Sequence, residues 1–365
     1  MKFTCVTEYL KNALTSAERF TGKNNTFPIL ANVLLEINES ILRITATNLE
    51  SAIQIMVHGN SIHSGKVCVP IKILSSFIQS IGDEKIHLEE KQGSLIIKTD
   101  TRDTRINGVG TDDFPLMPKI NKTNSVSVPC SYFCEGISRV LPAVSLSEFK
   151  PELGGVFVRI SPVSIQLAAT DTFRLAEKTI QFESKKDTDT FSFIMPHKIS
   201  QELVRVLGNE DEVTISIGEN QILLETDGCM IVSRLTEGNF PDYNAIIPKN
   251  FETSCFVAKD AFVSAVRASS IFASKLQEVT TAVKNRSLEV RSVNQDVGEY
   301  KNTIPCASSG KEIMIGFNYR YLLDGLQSTN EDEIFFGLNG EQSPSLIKNK
   351  SDGSFLYVVM PIRLS

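Results

Sequence analysis

The chain has 365 residues, enough for two or three domains with their own cores. Its net charge of −6 argues against a large exposed nucleic-acid-binding surface, but it does not exclude a basic concave face on an acidic body. No apolar run reaches the ~18–20 residues of a membrane helix, and the first residues contain no signal-peptide region. We therefore expect a cytoplasmic protein.

Two kinds of segment recur along the chain. The first is a short strand followed by a helix, at residues 2–20, 125–145 and 253–272. Its apolar residues have helical spacing. In the first copy they are Leu10, Ala13, Leu14, Ala17 and Phe20.

The second kind of segment has a strand, a helix, an acidic turn and two further strands, at residues 66–99, 192–226 and 312–340. Pro70, Pro196 and Asn318 occupy the same place in these three copies. Alternating apolar residues after each helix predict half-buried strands. The glycine turns Gln92–Gly93 and Asn339–Gly340 predict short antiparallel hairpins.

These repeats predict three similar α+β domains, each with two helices packed on an antiparallel sheet. The predicted domains are residues 1–122, 123–250 and 251–365. Three later segments are interpreted as equivalent to one another: "DDFPLMP" (112–118), "GNFPDYNAIIP" (238–248) and "YVVMP" (357–361). On this interpretation the last one begins as the closing strand of the third domain.

The sequence contains no recognisable catalytic or metal-binding motif. The four histidines form no His-Glu-x-x-His pair, no phosphate-binding glycine loop is present, and the seven cysteines include no Cys-x-x-Cys pair. We expect the cysteines to be buried thiols. Asp171 is the one carboxylate in an apolar setting, where a turn role explains it as well as catalysis does. The prediction is no catalytic residue, no metal and no cofactor, with an enzyme of unrecognised site as a minor alternative.

Every one of the six predicted helices carries at least one lysine or arginine. Solvated helix surfaces are the ordinary explanation. If equivalent helices line one concave surface, however, their charges converge there. They would then contact DNA phosphates without reading the sequence.

Five segments occur together in order and with matching spacing: "FPILANVLLEI" (27–37), "ITATNLES" (44–51), "LAATDTFRLA" (167–176), "EGNFPDYNAIIPKN" (237–250) and "YVVMPIRL" (357–364). With them the chain resembles the bacterial sliding clamp family, the beta subunit of DNA polymerase III. The resemblance implies the DNA clamp fold and a head-to-tail homodimer that closes a ring of six domains around duplex DNA. Such a ring is a non-catalytic processivity factor near the nucleoid, and a separate ATP-driven clamp loader opens it.

The resemblance also implies sites. The polymerase catalytic subunit, the clamp loader and other replication and repair proteins would dock linear motifs into an apolar pocket. Its residues are Leu153, Thr170, Thr172, Phe173, Arg174, Leu175, Pro241, Ile246, Val358, Val359, Met360, Pro361, Ile362, Arg363 and Leu364. The implied DNA contacts are Lys11, Lys23, Lys72, Arg139, His197, Lys198, Arg205, Lys249, Arg267 and Arg320. The implied dimer contacts are Lys72, Arg105 and Ile106 on one side and Arg267, Ile271 and Phe272 on the other.

The chain departs from the family pattern at two places in this pocket. Thr172–Phe173 stand where a Gly-His pair is common, and Asn244–Ala245 stand where an arginine is common. The peptide preference is therefore open. The alternative function is a peptide-binding scaffold of the same fold that does not encircle DNA.

Overall fold

The computed structural model describes residues 1–22, 27–82, 84–118, 120–182, 189–351 and 353–363. The helices in these ranges are α1 (Thr7–Glu18), α2 (Ile71–Gln79), α3 (Cys130–Val140), α4 (His197–Val206), α5 (Lys259–Ser270) and α6 (Tyr319–Gln327). None of them has the length and hydrophobicity of a membrane-spanning segment.

The strands of the same ranges are β1 (Lys2–Val6), β2 (Asn32–Asn38), β3 (Ile41–Thr47), β4 (Ser51–His58), β5 (Asn60–His63), β6 (Gly65–Pro70), β7 (Lys85–Lys91), β8 (Ser94–Lys98), β9 (Asp103–Asn107), β10 (Asn124–Pro129), β11 (Gly155–Ile160), β12 (Ser164–Thr170), β13 (Arg174–Gln181), β14 (Phe191–Pro196), β15 (Glu212–Ile217), β16 (Gln221–Glu225), β17 (Cys229–Arg234), β18 (Thr253–Ala258), β19 (Glu278–Lys284), β20 (Ser287–Asn294), β21 (Gly298–Gly310), β22 (Ile313–Asn318), β23 (Glu333–Leu338), β24 (Ser345–Asn349) and β25 (Phe355–Val359). All the strand pairings are antiparallel. The predicted α+β class is confirmed.

The described residues form two compact bodies. The first contains residues 1–131 and 202–235, on a five-stranded sheet (β5-β1-β7-β8-β9) and an eight-stranded sheet (β10-β15-β16-β17-β4-β3-β2-β6). The second contains the other described residues, on a twelve-stranded sheet (β14-β11-β12-β13-β25-β24-β23-β18-β21-β20-β19-β22). Strands of neighbouring predicted domains thus pair within one sheet, and the boundaries of those domains remain a prediction.

The predicted helix cores are buried. The five apolar residues of the first helical segment, Leu10, Ala13, Leu14, Ala17 and Phe20, are at most 5% exposed. Six of the seven cysteines are buried, as expected, and Cys306 is half-buried. Burial of this kind is the main source of stability in an amphipathic helix that is too short to form alone.

The start of α6 explains why Asn318 can stand where Pro70 and Pro196 stand in the other copies. Each of the three ends a strand, and a helix follows directly. The Asn318 side chain accepts hydrogen bonds from the backbone N–H groups of Arg320 and Tyr321. It therefore caps the helix, whereas proline fixes the backbone angle at the same point.

One tight turn occurs in both bodies with the same hydrogen bonds. Asn48 Oδ1 accepts from the N–H groups of Glu50 and Ser51, and Asp171 Oδ1 accepts from those of Phe173 and Arg174. The preceding threonine hydroxyl donates across each turn. The residue after the Asn or Asp has a positive φ, 74° at Leu49 and 78° at Thr172. Asp171 therefore has the turn role.

One sequence interpretation is confirmed and another is wrong. Gln92–Gly93 joins β7 to β8 and residues 339–344 join β23 to β24, and both strand pairs are antiparallel hairpins as predicted. The segments 112–118 and 238–248 contain no strand, whereas Tyr357 lies in β25. By element order the equivalents of β25 are β9 and β17. The spacing of the prolines in these three segments had suggested that the segments themselves were equivalent.

Candidate partner-binding site

Strand register divides the candidate pocket residues between two faces of one sheet. In the β13–β25 pair, Leu175 lies opposite Val358 and Arg174 lies opposite Val359. Because side chains alternate along a strand, Leu175 and Val358 point to one face and Arg174 to the other. The family resemblance had put Leu175 and Val358 in one apolar wall, with Arg174 as a polar group at its edge.

The first face carries a buried apolar cluster. Leu175 and Val358 are 1% and 2% exposed, and they pack with Ala168, Tyr243 and Leu346. The Tyr243 hydroxyl donates to Glu177 Oε2 at 2.6 Å, and burial raises the pKa of Tyr243, so this phenol stays protonated. Leu175 and Val358 thus belong to the hydrophobic core beneath the candidate site.

The accessible apolar rim comes from the chain that follows β17. Pro241 is exposed, and Ile246, in a 3₁₀ turn at Asn244–Ile246, is 50% exposed. Leu153 is buried in another 3₁₀ turn at Pro151–Leu153, where its carbonyl accepts from the Ser145 N–H at 3.1 Å. A partner side chain would therefore meet Pro241 and Ile246 first.

The β12–β13 turn and the chain after β25 are joined by backbone hydrogen bonds. The Met360 N–H donates to the Phe173 carbonyl at 2.9 Å, and the Ile362 N–H donates to the Gly316 carbonyl in β22 at 2.9 Å. Met360, Pro361 and Ile362 are half-buried and Arg363 is exposed, whereas Leu364 lies outside the described residues. The tail is thus held by hydrogen bonds to Phe173 and Gly316.

Aromatic rings connect the turn to α6. Phe173 is 59% exposed, and its ring stacks on that of Tyr321 with 6.5 Å between centroids. Thr172 has the positive φ of the turn, and the buried Thr170 hydroxyl donates to the Arg174 carbonyl at 2.7 Å. This chain therefore presents an aromatic surface where the family pattern has histidine.

Arg174 is buried among partners on the helix-facing side. Its Nε donates to Asp171 Oδ2 at 2.9 Å, its Nη1 binds Asp324 Oδ2 in α6, and its guanidinium lies 4.3 Å from the centre of the Tyr321 ring. Burial opposes the charge, but the carboxylates of Asp324 and Asp171 outweigh it and raise the pKa of Arg174. The sequence had placed Arg174 as a polar group at the edge of an apolar pocket.

Sequence reasoning missed Tyr321 and Asp324. Both lie on α6 at helical spacing, but 150 positions separate Asp324 from its partner Arg174. Only the close approach of α6 to β13 and β25 brings these residues together. A single sequence carries no signal for such a pair.

The candidate DNA contacts are mostly exposed cations on helices. Lys72 on α2, Lys198 on α4, Arg267 on α5 and Arg320 on α6 are exposed, as is Lys249 before β18. Lys11 on α1 is half-buried, and Lys23 lies outside the described residues. These side chains provide positive charge on both bodies.

Three of the candidate DNA contacts are already engaged or uncharged. Arg139 donates to the Ser328 carbonyl at 3.0 Å, and Arg205 pairs with Glu202 at 3.3 Å. Burial lowers the pKa of His197, so its imidazole is neutral at pH 7. Arg139 and Arg205 thus already have partners, and His197 carries no charge at pH 7.

The candidate dimer contacts differ in exposure. Ile271 is 70% exposed, and Phe272 stacks on Tyr300 with 6.2 Å between centroids. Arg105 is exposed on β9, whereas the Ile106 side chain is only 5% exposed. Ile106 therefore belongs to the core of its own sheet, and only its backbone is at the sheet edge.

Two strand edges lie at or near the candidate dimer contacts: β9, which carries Arg105 and Ile106, and part of β21, which was not predicted as an interaction site. β9 is the last strand of the five-stranded sheet, and residues 298–305 of β21 pair with β20 on one side only within the described chain. An unpaired edge presents backbone N–H and C=O groups to any further strand. The order of strands and helices in each repeat is the sequence signal that could have identified these two edges.

The part of the chain that the structure describes contains no cluster of three or more His, Cys, Asp or Glu side chains arranged to hold a metal ion.

Three family models of the DNA polymerase III beta subunit match the sequence in order. They are the N-terminal domain at residues 1–118, the central domain at 127–242 and the C-terminal domain at 244–363. The chain belongs to this family. It is therefore a bacterial sliding clamp, the processivity subunit of a polymerase and not a catalytic subunit.

Individual relatives support the assignment over full length. The beta sliding clamps of Synechocystis sp. (strain PCC 6803) and Staphylococcus epidermidis are 28% and 26% identical, with 100% of this chain and 100% and 99% of theirs covered. The solved beta subunit of Thermotoga maritima covers both chains fully, with a TM-score of 0.93 and 27% identity. A Pseudomonas aeruginosa sliding clamp bound to griselimycin has a TM-score of 0.94 and 25% identity over the same extent. The three-domain clamp fold is thereby confirmed.

Proposed function

We propose that two copies of this clamp join head to tail into a ring of six domains that encircles duplex DNA without sequence specificity. The observation that carries the proposal is the succession of three beta-subunit domain matches along one chain. We assign the domains to residues 1–122, 123–250 and 251–365. A closed ring needs no tight DNA contact, so it can slide while it holds a polymerase at high effective concentration.

The free strand edges support the mode of closure. β9 belongs to the first body and the 298–305 half of β21 to the second, so pairing them between two copies gives a heterologous contact. Strand addition would use the edge backbone, with Arg105 and Lys72 beside it on one copy. Ile271, Phe272 and Arg267 would flank the other side, as the family resemblance implies.

The exposed lysines and arginines of the helices would form the DNA-facing surface. Phosphate contacts from Lys11, Lys72, Lys198, Lys249, Arg267 and Arg320 are long-range and salt-sensitive, which suits a ring that must move. Lys23, Arg139, His197 and Arg205 complete the proposed set. The acidic net charge would then reside away from these helices.

The site around the β12–β13 turn would bind linear peptide motifs. Its rim at Pro241 and Ile246 and the half-buried Met360–Ile362 segment offer contacts for aliphatic and aromatic anchors. We propose the polymerase catalytic subunit, an ATP-driven clamp loader and other replication and repair proteins as partners. The setting is the cytoplasm at the nucleoid.

Primer extension tests this function. On a singly primed circular template with its own polymerase and clamp loader, we expect product length to rise from short fragments to full circles when the protein is added. A clamp-fold scaffold that binds peptides without encircling DNA would bind the polymerase but leave product length unchanged.

A further inference from the structure

A cavity of about 380 Å³ lies beside the rim of the proposed peptide site, and Pro241 borders both. We call this cavity the flanking pocket. Strands β11 and β12 supply one wall, and the chain that follows β17 supplies the other. The side chains that matter below are Phe157, Arg159 and Gln166 on the strands and Phe240 and Asp242 on the facing chain.

The base of the flanking pocket is aromatic. The Phe157 and Phe240 rings stack with 5.0 Å between centroids, and the Tyr243 ring meets Phe240 edge-on at 6.0 Å. Phe157 and Phe240 also pack against the hydrophobic cluster that contains Leu175 and Val358. The flanking pocket and the peptide site therefore share one packed support.

Arg159 is an exposed cation in the flanking pocket, and its guanidinium lies 5.8 Å from the centre of the Phe157 ring. Its neighbours across the two adjacent strands, Ser192 and Gln166, carry no charge. Within the residues that the structure describes, the Arg159 side chain makes no hydrogen bond and no ion pair. Its donors are therefore available to a partner.

The one carboxylate that lines the flanking pocket is already engaged elsewhere. Asp242 Oδ1 accepts from the Asn244 backbone N–H at 3.1 Å and from Asn244 Nδ2 at 2.8 Å. It forms no salt bridge with Arg159 in the described chain. Asp242 thus lowers the local positive potential without occupying the guanidinium.

The three repeats can be compared at this place because Asn32, Gly155 and Glu278 lie opposite Pro70, Pro196 and Asn318. Two and four positions further along the chain are Leu34 and Glu36 in the first repeat, Phe157 and Arg159 in the second, and Thr280 and Ala282 in the third. The fold itself therefore does not require an arginine on an aromatic ring at this position.

We propose that the flanking pocket binds an acidic side chain of a partner peptide, next to the anchors held in the peptide site. The inference rests on the proposed peptide-binding function and adds a second contact to it. Charge complementarity selects the occupant, because a guanidinium can bind a carboxylate through two parallel hydrogen bonds. A peptide that contacts the rim at Pro241 already borders the pocket, so its flanking residues lie close to Arg159.

The test compares two fluorescein-labelled peptides with the same central anchors, two leucines and one phenylalanine. Three residues on each side of these anchors are serine in one peptide and aspartate in the other. Fluorescence anisotropy with the full-length protein gives the dissociation constants, and the wild type should bind the aspartate peptide more tightly. Arg159→Gln should reduce this preference by about two- to fivefold, the size of an exposed ion pair.

Matched variants locate the contact. Asp242→Asn should increase the preference for the aspartate peptide, because it removes a competing charge and keeps the Oδ1 acceptor for Asn244. Arg159→Lys should retain part of the preference, since the charge remains. Arg291→Gln removes the same charge from an exposed position on β20 and should leave the preference unchanged. Opposite shifts in Arg159→Gln and Asp242→Asn would place the acidic group between these two residues.

The outcomes separate the two proposals. If both peptides bind but the wild type shows no preference, or Arg291→Gln reduces it as much as Arg159→Gln does, the flanking pocket is overturned while the peptide site stands. If the wild type binds neither peptide, the proposed peptide site fails and the inference fails with it. Thermal unfolding identifies any variant that has lost its fold. Should that be Arg159→Gln, Asp242→Asn decides the question, and an unchanged preference in it would contradict the proposal.

Discussion

The Tyr357 hydroxyl in β25 donates to the Tyr321 carbonyl oxygen in α6 at 2.9 Å. Tyr357 is fully buried, and its ring packs against Gly325, where even a Cβ atom would lie 2.4 Å from the ring. Burial raises the pKa of Tyr357, so the hydroxyl remains a donor at neutral pH. This bond and the Arg174–Asp324 pair attach α6 to the strands beneath the candidate site.

The first prediction concerns this attachment. Tyr357→Phe removes this hydrogen bond, and we expect the free energy of unfolding to fall by about 1–2 kcal/mol. Urea unfolding measures the change. Tyr9→Phe is the control because Tyr9 is 61% exposed. Equal losses in both variants would contradict the attachment.

A second prediction concerns the turn that occurs twice. Thr172 and Leu49 both have positive φ, which a β-branched residue tolerates least. Thr172→Gly should raise the free energy of unfolding by about 1 kcal/mol, and Leu49→Gly should raise it by less. Thermal unfolding compares them. A destabilised Thr172→Gly would mean that the threonine side chain contributes more than its strain costs.

A third prediction separates the two proposed interfaces. Ile246→Asp puts a charge on the rim of the peptide site and should abolish peptide binding while the dimer persists. Ile271→Asp should produce monomers that still bind peptide. Light scattering and fluorescence anisotropy provide the two measurements. Loss of both properties in either variant would show that the sites are not independent.

A fourth prediction concerns the tail. Deleting residues 361–365 removes the backbone hydrogen bond from Ile362 to Gly316 and the half-buried side chains of Pro361 and Ile362. Peptide affinity should fall by about tenfold or more, as expected when an apolar side chain no longer packs against the peptide. The oligomeric state should not change. If the truncated chain unfolds or becomes monomeric, the tail belongs to the core.

A fifth prediction concerns charge on α4. Lys198→Ala should reduce the salt dependence of duplex binding by about 1 in the slope, because the protein then neutralises one phosphate fewer. His197→Ala should leave this slope unchanged at pH 7.5, because the lowered pKa of His197 keeps it neutral. Anisotropy titrations at several salt concentrations measure both. Equal slopes for the two variants would remove Lys198 from the DNA-facing set.

Local pattern predicted much of the fold. The spacing of Leu10, Leu14 and Ala17 identified a helix and its buried side, because amphipathic periodicity is a local property. The residues of the peptide site were found only through family resemblance, which could not reveal the pairing of Arg174 with Asp324. Alignment by proline spacing failed at the tail, since prolines mark loops as readily as strand ends.

The central claim is that the protein encircles DNA. The direct measurement is its retention, after loading, on nicked circular DNA separated by gel filtration at moderate salt. The account predicts that the protein elutes with the circle and is released when a restriction enzyme linearises it, because a ring slides off free ends. Protein that stays on linear DNA with open ends, or never remains on the circle, would contradict the account.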